Sequence, residues 1–149
     1  MIDFSATTAF QLVRRLAAAG PATPSAYLLA CDPAVMDAVR SDIAAEVQVQ
    51  LGFHLRSLTA SEVPPERLAE ALTRDAVWPL VLITLDRWLP KLMRSFDGNI
   101  VLLTEAGTVL LVASREIAER VLATAPNLRN RLTDVLLIEP EEVFGDRRA

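Results

Sequence analysis

Short apolar runs alternate along the chain with longer segments in which apolar residues recur every three or four positions. The short runs are typical of β-strands and the longer segments of amphipathic helices. The most continuously apolar run, 81–85, predicts a central strand that is buried on both faces. The pattern predicts strands at 26–31, 53–58, 81–85, 100–104, 108–113 and 135–138. It predicts helices at 6–19, 33–49 and 90–96, one helix that ends at about 74, one that follows Ser114, and a helical turn from Pro126.

This alternation of strands and helices predicts a three-layer α/β/α domain with a mostly parallel five-stranded sheet. The two β-rich runs on either side of 105–107 predict an added hairpin. We expect one α/β domain over 1–149, with an N-terminal helix within 1–20, a core over 25–140 and an acidic tail over 141–149. Ligands in such sheets bind beyond the carboxyl ends of the strands, which are predicted at Asp32, Thr59, Asp86, Thr104 and Ser114.

Composition narrows the classes of function. Apolar residues make up 52% of the chain, which suggests a sheet buried on both faces or a surface that meets a partner. No apolar run approaches the roughly 18 residues that span a bilayer, and no signal peptide opens the chain. We therefore expect a cytoplasmic protein without a membrane partner. The net charge is −4 and the arginines are scattered, which argues against a nucleic-acid partner.

Two residues that often carry catalysis occur once each. His54 is the only histidine and lies in a predicted strand, so a histidine-based triad or zinc site lacks its second member. Cys31 ends a predicted strand with no evident base beside it and is interpreted as a small buried residue. We predict no catalytic residue.

The junction between the strand at 26–31 and the next helix contains neither glycine nor lysine. Phosphate-binding loops at such junctions use glycine-rich backbone N–H groups and a lysine. Here Asp32 and Pro33 open the helix directly, and the only lysine in the chain is Lys91. We therefore expect no nucleotide and no cofactor.

Two aspartates follow predicted strands and offer a different chemistry. Asp32 and Asp86 would share a divalent ion if their strands were neighbours, because carboxylates at strand ends hold Mg²⁺ in phosphate-handling folds. Alternatively, Asp32 caps the helix that begins at Pro33, and Asp86 is a helix cap or a remnant.

Three further residues are candidates for protein contacts. Arg129 and Arg131 precede the last strand and suit bidentate capture of carboxylate or phosphate, although a solvated helical turn explains them equally well. Trp88 lies just beyond the central strand and is either an interface anchor or part of the core.

Taken in order, the elements from 27 to 140 resemble the ATPase core of the AAA+ superfamily. Tyr-Leu-Leu-Ala at 27–30 looks like the strand before the Walker A loop, and Val-Leu-Ile-Thr-Leu-Asp-Arg-Trp-Leu-Pro at 81–90 is similar to the Walker B strand and following helix. The segment 108–115 lies where the sensor-1 strand would be, and 125–140 looks like the arginine-finger turn and final strand.

The chain departs from this family in the parts that handle nucleotide. The Walker A loop is missing, Arg87 replaces the Walker B glutamate, and Ser114 with Arg115 replaces the polar sensor pair. Arg131 matches the arginine-finger position and would act only on a neighbouring subunit's nucleotide. The resemblance implies a degenerate module that keeps the scaffold and the assembly surfaces, is not an enzyme, and binds a protein partner or a second copy of itself.

A second resemblance is to response-regulator receiver domains. Asp86 followed four residues later by Pro90 is similar to the phospho-acceptor segment, Asp32 would be the Mg²⁺-binding acid, and 100–104 resembles the strand with the switch threonine. Against this, Glu139 stands where a receiver carries lysine, and the predicted strand at 108–113 has no place in that fold. The alternative function is thus a receiver-like signalling domain that uses Asp86 with Mg²⁺.

Overall fold

Six parallel strands form one sheet in the computed structural model, which describes residues 4–21, 25–62, 80–88, 90, 93–94, 97–98 and 107–141. The strands are β1 (Ser5–Thr8), β2 (Ala26–Cys31), β3 (Arg56–Thr59), β4 (Leu80–Leu85), β5 (Thr108–Ser114) and β6 (Asp134–Glu139). Their order across the sheet is β1-β6-β2-β5-β4-β3, and every pairing is parallel. The first strand of the predicted core, β2, therefore lies in the interior of the sheet.

Helices connect the strands on both sides. They are α1 (Ala9–Ala19), α2 (Met36–Glu46), α3 (Arg115–Thr124) and α4 (Pro126–Arg131). A 3₁₀ turn at Pro33–Val35 precedes α2, a π-helical turn at Val47–Leu51 follows it, and a second 3₁₀ turn at Ala60–Glu62 follows β3. Pro90, Met93, Arg94, Asp97 and Gly98 are helical as well.

The core has two halves, one on each face of the sheet. Leu28 and Ala30 of β2 point to the face covered by α3 and α4, while Tyr27, Leu29 and Cys31 point to the face covered by α1 and α2. All residues of β2 and β4 are buried, which is why these strands are apolar throughout rather than alternating. The predicted three-layer α/β/α architecture is confirmed.

The N-terminal segment differs from the prediction. Residues 6–8 belong to β1, an edge strand on β6, so the sheet has six described strands where five were expected. The helix begins only at Ala9, because Thr8 is extended and forms a capping box with Gln11. A strand of four residues carries too little alternation to reveal itself beside a strong helical period.

The predicted hairpin is wrong. One edge of β5 pairs with β2 and the other with β4, so no edge is left to pair with 100–104. The segment 100–104 itself and the predicted helix ending near 74 lie outside the described residues. His54 precedes β3 rather than lying in a strand, because β3 begins at Arg56.

The strand order also disagrees with a receiver domain. In that fold the first and second strands are neighbours, in the order 2-1-3-4-5. Here β2 and β3, the strands that would correspond to them, are separated by β5 and β4.

After β6, the chain contacts the layer formed by α1 and α2 through Glu141. Glu141 accepts a hydrogen bond from the Phe10 N–H at the start of α1 (3.1 Å) and donates its own N–H to Asp42 of α2 (2.8 Å). Burial raises the pKa of Glu141, as do the nearby carboxylates of Glu46 and Asp42. Glu141 was predicted as part of an acidic tail but is a buried contact, and the rest of that tail lies outside the described residues.

Candidate functional site

A crevice opens where the connections after two neighbouring strands diverge. The chain passes from β2 to α2 on one face of the sheet and from β5 to α3 on the other. Such switch points are where open α/β sheets bind ligands. The cavity there measures about 420 Å³ and is lined by Cys31, Asp32, Pro33, Ser114, Arg115, Glu116 and Leu137.

The backbone N–H groups of 34–36, on the β2 side of the crevice, are already bonded. Pro33 has no N–H, and the Ala34 N–H donates to Asp32 Oδ1 at 2.9 Å. The Val35 N–H donates to the Asp32 carbonyl at 3.0 Å, and the Met36 N–H donates to the Pro33 carbonyl. This segment therefore offers no free N–H group to an anion, and the structure confirms the capping interpretation of Asp32.

On the β5 side, one backbone donor is used by a helix cap. Ser114 Oγ accepts a hydrogen bond from the Ile117 N–H at 3.2 Å and caps α3. The guanidinium of Arg115 lies 5.1 Å from the ring centroid of Phe4. The side chains on the two sides carry two carboxylates, Asp32 and Glu116, against one cation.

Cys31 is buried at the floor of the crevice. Burial, and secondarily the charge of Asp32, raises the pKa of its thiol to about 11. The thiol is protonated near neutral pH and is therefore a poor nucleophile. The prediction that Cys31 is a small buried residue is confirmed.

Asp86 is held at the end of β4 by residues that follow β3. Its carboxylate accepts hydrogen bonds from the Ser61 hydroxyl (2.8 Å) and the Ser61 N–H (3.3 Å), and Arg87 Nε lies 3.4 Å away. Burial alone would raise the pKa of Asp86, but these hydrogen bonds outweigh it and the pKa is lowered. Asp86 thus joins the ends of β3 and β4.

The strands that carry the two aspartates are not neighbours, so the condition on which they would share a cation is not met. β5 lies between β2 and β4, so two strand spacings, roughly 10 Å, separate Asp32 from Asp86 across the sheet. Within the described residues, no three His, Cys, Asp or Glu side chains come together as a metal site.

The predicted interaction residues lie elsewhere. Arg129 and Arg131 are exposed in the last turn of α4. This turn lies next to the amino end of β6, so both residues are at the opposite end of the strands from the crevice. Arg129 lines a cavity of about 600 Å³ together with Thr133 and Asp134. Asp134 pairs with Arg15 at 2.9 Å.

Trp88 is half-buried and packs against the core on the α3–α4 side. The guanidinium of Arg120 lies 5.1 Å from its ring centroid. Trp88 also lines a groove of about 540 Å³ with Pro90, Met93, Arg94, Asp97, Gly98 and Thr124, called the Trp88 groove below. The five predicted residues thus lie at four separate places: Asp32 at the crevice, Asp86 at the end of β4, Trp88 in its groove, and Arg129 with Arg131 on α4.

Sequence reasoning missed Glu116, Ser61 and Arg120. An acidic residue in the first turn of a helix is a common signature, which would have drawn attention to Glu116 beside the Ser114 cap. Ser61 and Arg120 meet Asp86 and Trp88 only through the fold, so no local signal marks them.

Comparison with known proteins supports the fold. No family model and no curated protein matches the chain. Among solved structures, a DNA polymerase III gamma subunit-related protein from Thermotoga maritima is similar, with a TM-score of 0.57 and 13% sequence identity. The match covers 90% of this chain and 47% of that chain, so this chain spans about half of the other's length.

At this identity the likeness bears on the fold alone. The parallel sheet with helices on both faces agrees with this likeness. No helix in the described ranges has both the length and the apolarity to cross a membrane. The chain therefore has an α/β fold similar to that of the DNA polymerase III gamma subunit-related protein.

Proposed function

We propose that this chain is a catalytically inactive AAA+-like module that binds no nucleotide and works as a protein-interaction or assembly subunit. The observation that carries the proposal is the backbone from Asp32 to Met36. At the place where a phosphate-binding loop would present free N–H groups, Pro33 has none and the N–H groups of 34–36 are bonded within the segment.

Electrostatics supports the same conclusion. Asp32 and Glu116 line the crevice, and a nucleotide's phosphates would have to approach both carboxylates. Arg115 is the single cation among the described lining residues, and its guanidinium lies beside the Phe4 ring. The crevice repels a polyanion more than it attracts one.

The groups that would perform hydrolysis are also unsuited to it. Asp86 is bonded to Ser61, and Arg87 follows it where a catalytic carboxylate would be needed. A cation at that position cannot accept a proton from an attacking water.

Contact residues remain available at two other surfaces. Trp88 opens onto a groove, and Arg129 and Arg131 are exposed on α4. Tryptophan and arginine are the residues most often found as binding hot spots. We propose that Arg131, at the position resembling an arginine finger, contacts a neighbouring subunit.

Isothermal titration calorimetry with ATP and Mg²⁺, and separately with ADP and Mg²⁺, tests the absence of nucleotide binding. We expect no saturable heat below about 1 mM nucleotide, which corresponds to a binding free energy weaker than about −4 kcal/mol. A saturable micromolar isotherm would overturn the proposal. Asp32→Ala frees the Ala34 N–H and removes one carboxylate, so any weak binding should increase in this variant.

A further inference from the structure

The Trp88 groove runs between α3 and the helical residues on its other side. Its volume of about 540 Å³ falls within the range of sites that bind ligands and peptide side chains, roughly 300–1,000 Å³. Met93 is 4% exposed and Trp88 is half-buried, so the described part of the groove has an apolar floor. A single inserted apolar side chain would be shielded from water there.

Two cations border this floor. Arg94 lines the groove and Arg120 lies over the Trp88 ring at 5.1 Å, and both are exposed. Neither forms an ion pair with a carboxylate in the described part of the chain. A guanidinium stacked on an aromatic ring keeps its N–H edge available for a carboxylate.

The one carboxylate among the described lining residues is already engaged. Asp97 accepts hydrogen bonds from the Leu128 N–H at 2.8 Å and from Asn127 Nδ2 at 3.3 Å. Its charge therefore compensates the amino end of α4 rather than the two arginines. The described part of the rim therefore carries two arginines against one engaged carboxylate, although the whole chain carries −4.

From this combination we infer that the Trp88 groove binds an acidic peptide segment of a partner protein, which inserts one apolar side chain beside the indole while its carboxylates meet Arg94 and Arg120. The inference rests on the proposed interaction function and names the chemistry of the partner. Charge complementarity selects the acidic segment, because an apolar or basic peptide would leave both arginines without a counter-charge.

The test is a display selection of random 12-residue peptides on the full chain, followed by anisotropy measurements with the enriched peptides. We expect the enriched sequences to combine two or more Asp or Glu with a Leu, Phe or Trp. Arg94→Glu and Arg120→Glu should each weaken binding about tenfold or more, and Trp88→Ala should weaken it about thirtyfold.

Arg14→Glu is the matched control, because Arg14 is an exposed arginine on α1, on the opposite face of the sheet. It should leave the affinity unchanged, and circular dichroism should show that all four variants are folded. Trp88→Phe keeps an aromatic floor and should retain most of the binding even if Trp88→Ala unfolds.

Three results would overturn the inference: enrichment of neutral or basic peptides, binding that survives both arginine reversals, or no enrichment. Sedimentation velocity adds a fourth, since conversion of an oligomer to a monomer by Arg94→Glu would make a second copy of the chain the occupant. Each of these leaves the proposed function standing. Micromolar nucleotide binding would instead remove the proposed function without bearing on the groove.

Discussion

Two cavities of similar volume, about 420 and 540 Å³, lie at the two ends of helix α3 and differ in how their polar groups are used. In the crevice, Ser114 and Asp32 bond to backbone N–H groups of the helices they precede. In the Trp88 groove, Arg94 and Arg120 have no carboxylate partner among the described residues. The polar groups shown at the crevice are therefore bonded within the chain, whereas the described arginines of the Trp88 groove are the ones we propose for binding a partner.

The largest expected effect is on the rate at which Cys31, at the floor of the crevice, is alkylated. The pKa of the Cys31 thiol is raised to about 11, so its thiolate is scarce at pH 7.5 and its sulfur is shielded. Alkylation by iodoacetamide should be at least about 100-fold slower than in the unfolded chain. Cys31 is the only cysteine, so the reaction reports on this site alone.

Mass spectrometry follows this reaction, and the same chain in guanidinium provides the control rate. Rapid alkylation of the folded chain would mean that the crevice opens to solvent and would remove the contrast with the Trp88 groove.

The next largest effect is on the free energy of unfolding, at Trp88 in the Trp88 groove. Trp88→Ala removes an indole that packs against the core and should lower the free energy of unfolding by about 2 kcal/mol, less than for a fully buried tryptophan. Urea denaturation measures the change. Trp88→Phe should recover more than half of it, and a loss below about 0.5 kcal/mol in the alanine variant would show that the indole does not pack as described.

A smaller effect on stability should distinguish Asp97, whose carboxylate holds α4, from the exposed Arg94 of the same groove. Asp97→Ala removes the acceptor of the Leu128 N–H at the start of α4 and should cost about 1 kcal/mol of stability. Asp97→Asn keeps an oxygen acceptor and should cost less. Arg94→Ala should lie within about 0.5 kcal/mol of the wild type, because Arg94 is exposed.

The smallest effect is a dependence of stability on pH at Asp86. Its pKa is lower in the folded chain than its ordinary value of 3.8, so it stabilises the fold above that value. This contribution is lost as the pH falls through the folded pKa. The difference in unfolding free energy between the wild type and Asp86→Asn should therefore shrink below pH 4.

Denaturation curves at pH 3 and pH 6 measure this change, which should not exceed about 1 kcal/mol for hydrogen bonds of this kind. A difference that stays constant between the two pH values would show that the bonds from Ser61 do not hold the carboxylate. Ser61→Ala serves as the matched variant, because it removes the 2.8 Å hydroxyl bond and keeps the carboxylate.

The sequence predicts the layers well and the site poorly, for a physical reason. Strands such as β4 are apolar over their whole length because both faces are covered, and this pattern is visible along the chain. The capping role of Asp32 is also local, since Asp before Pro is a helix-start signal. Which strands become neighbours depends on crossovers, so the separation of Asp32 and Asp86 by β5 leaves no local trace.

The Trp88 groove could not be predicted from the sequence either, because it also depends on contacts between distant segments. Trp88 and Arg120 are 32 positions apart and meet only because α3 packs on the same face as the segment after β4. Their separate presence in the sequence predicted a contact residue but not the charge of the surface around it.

The central claim is that the crevice between β2 and β5 binds no nucleotide, because the N–H groups of Ala34, Val35 and Ile117 are bonded within the chain and two carboxylates line it. Amide-resolved NMR during titration with ATP and Mg²⁺ tests this claim most directly, because Ala34, Val35 and Ile117 report on those donors. We predict that none of the three amide signals shifts in a saturable way up to about 1 mM ATP, the limit of weak binding. Saturable shifts of these amides at micromolar ATP would contradict the account.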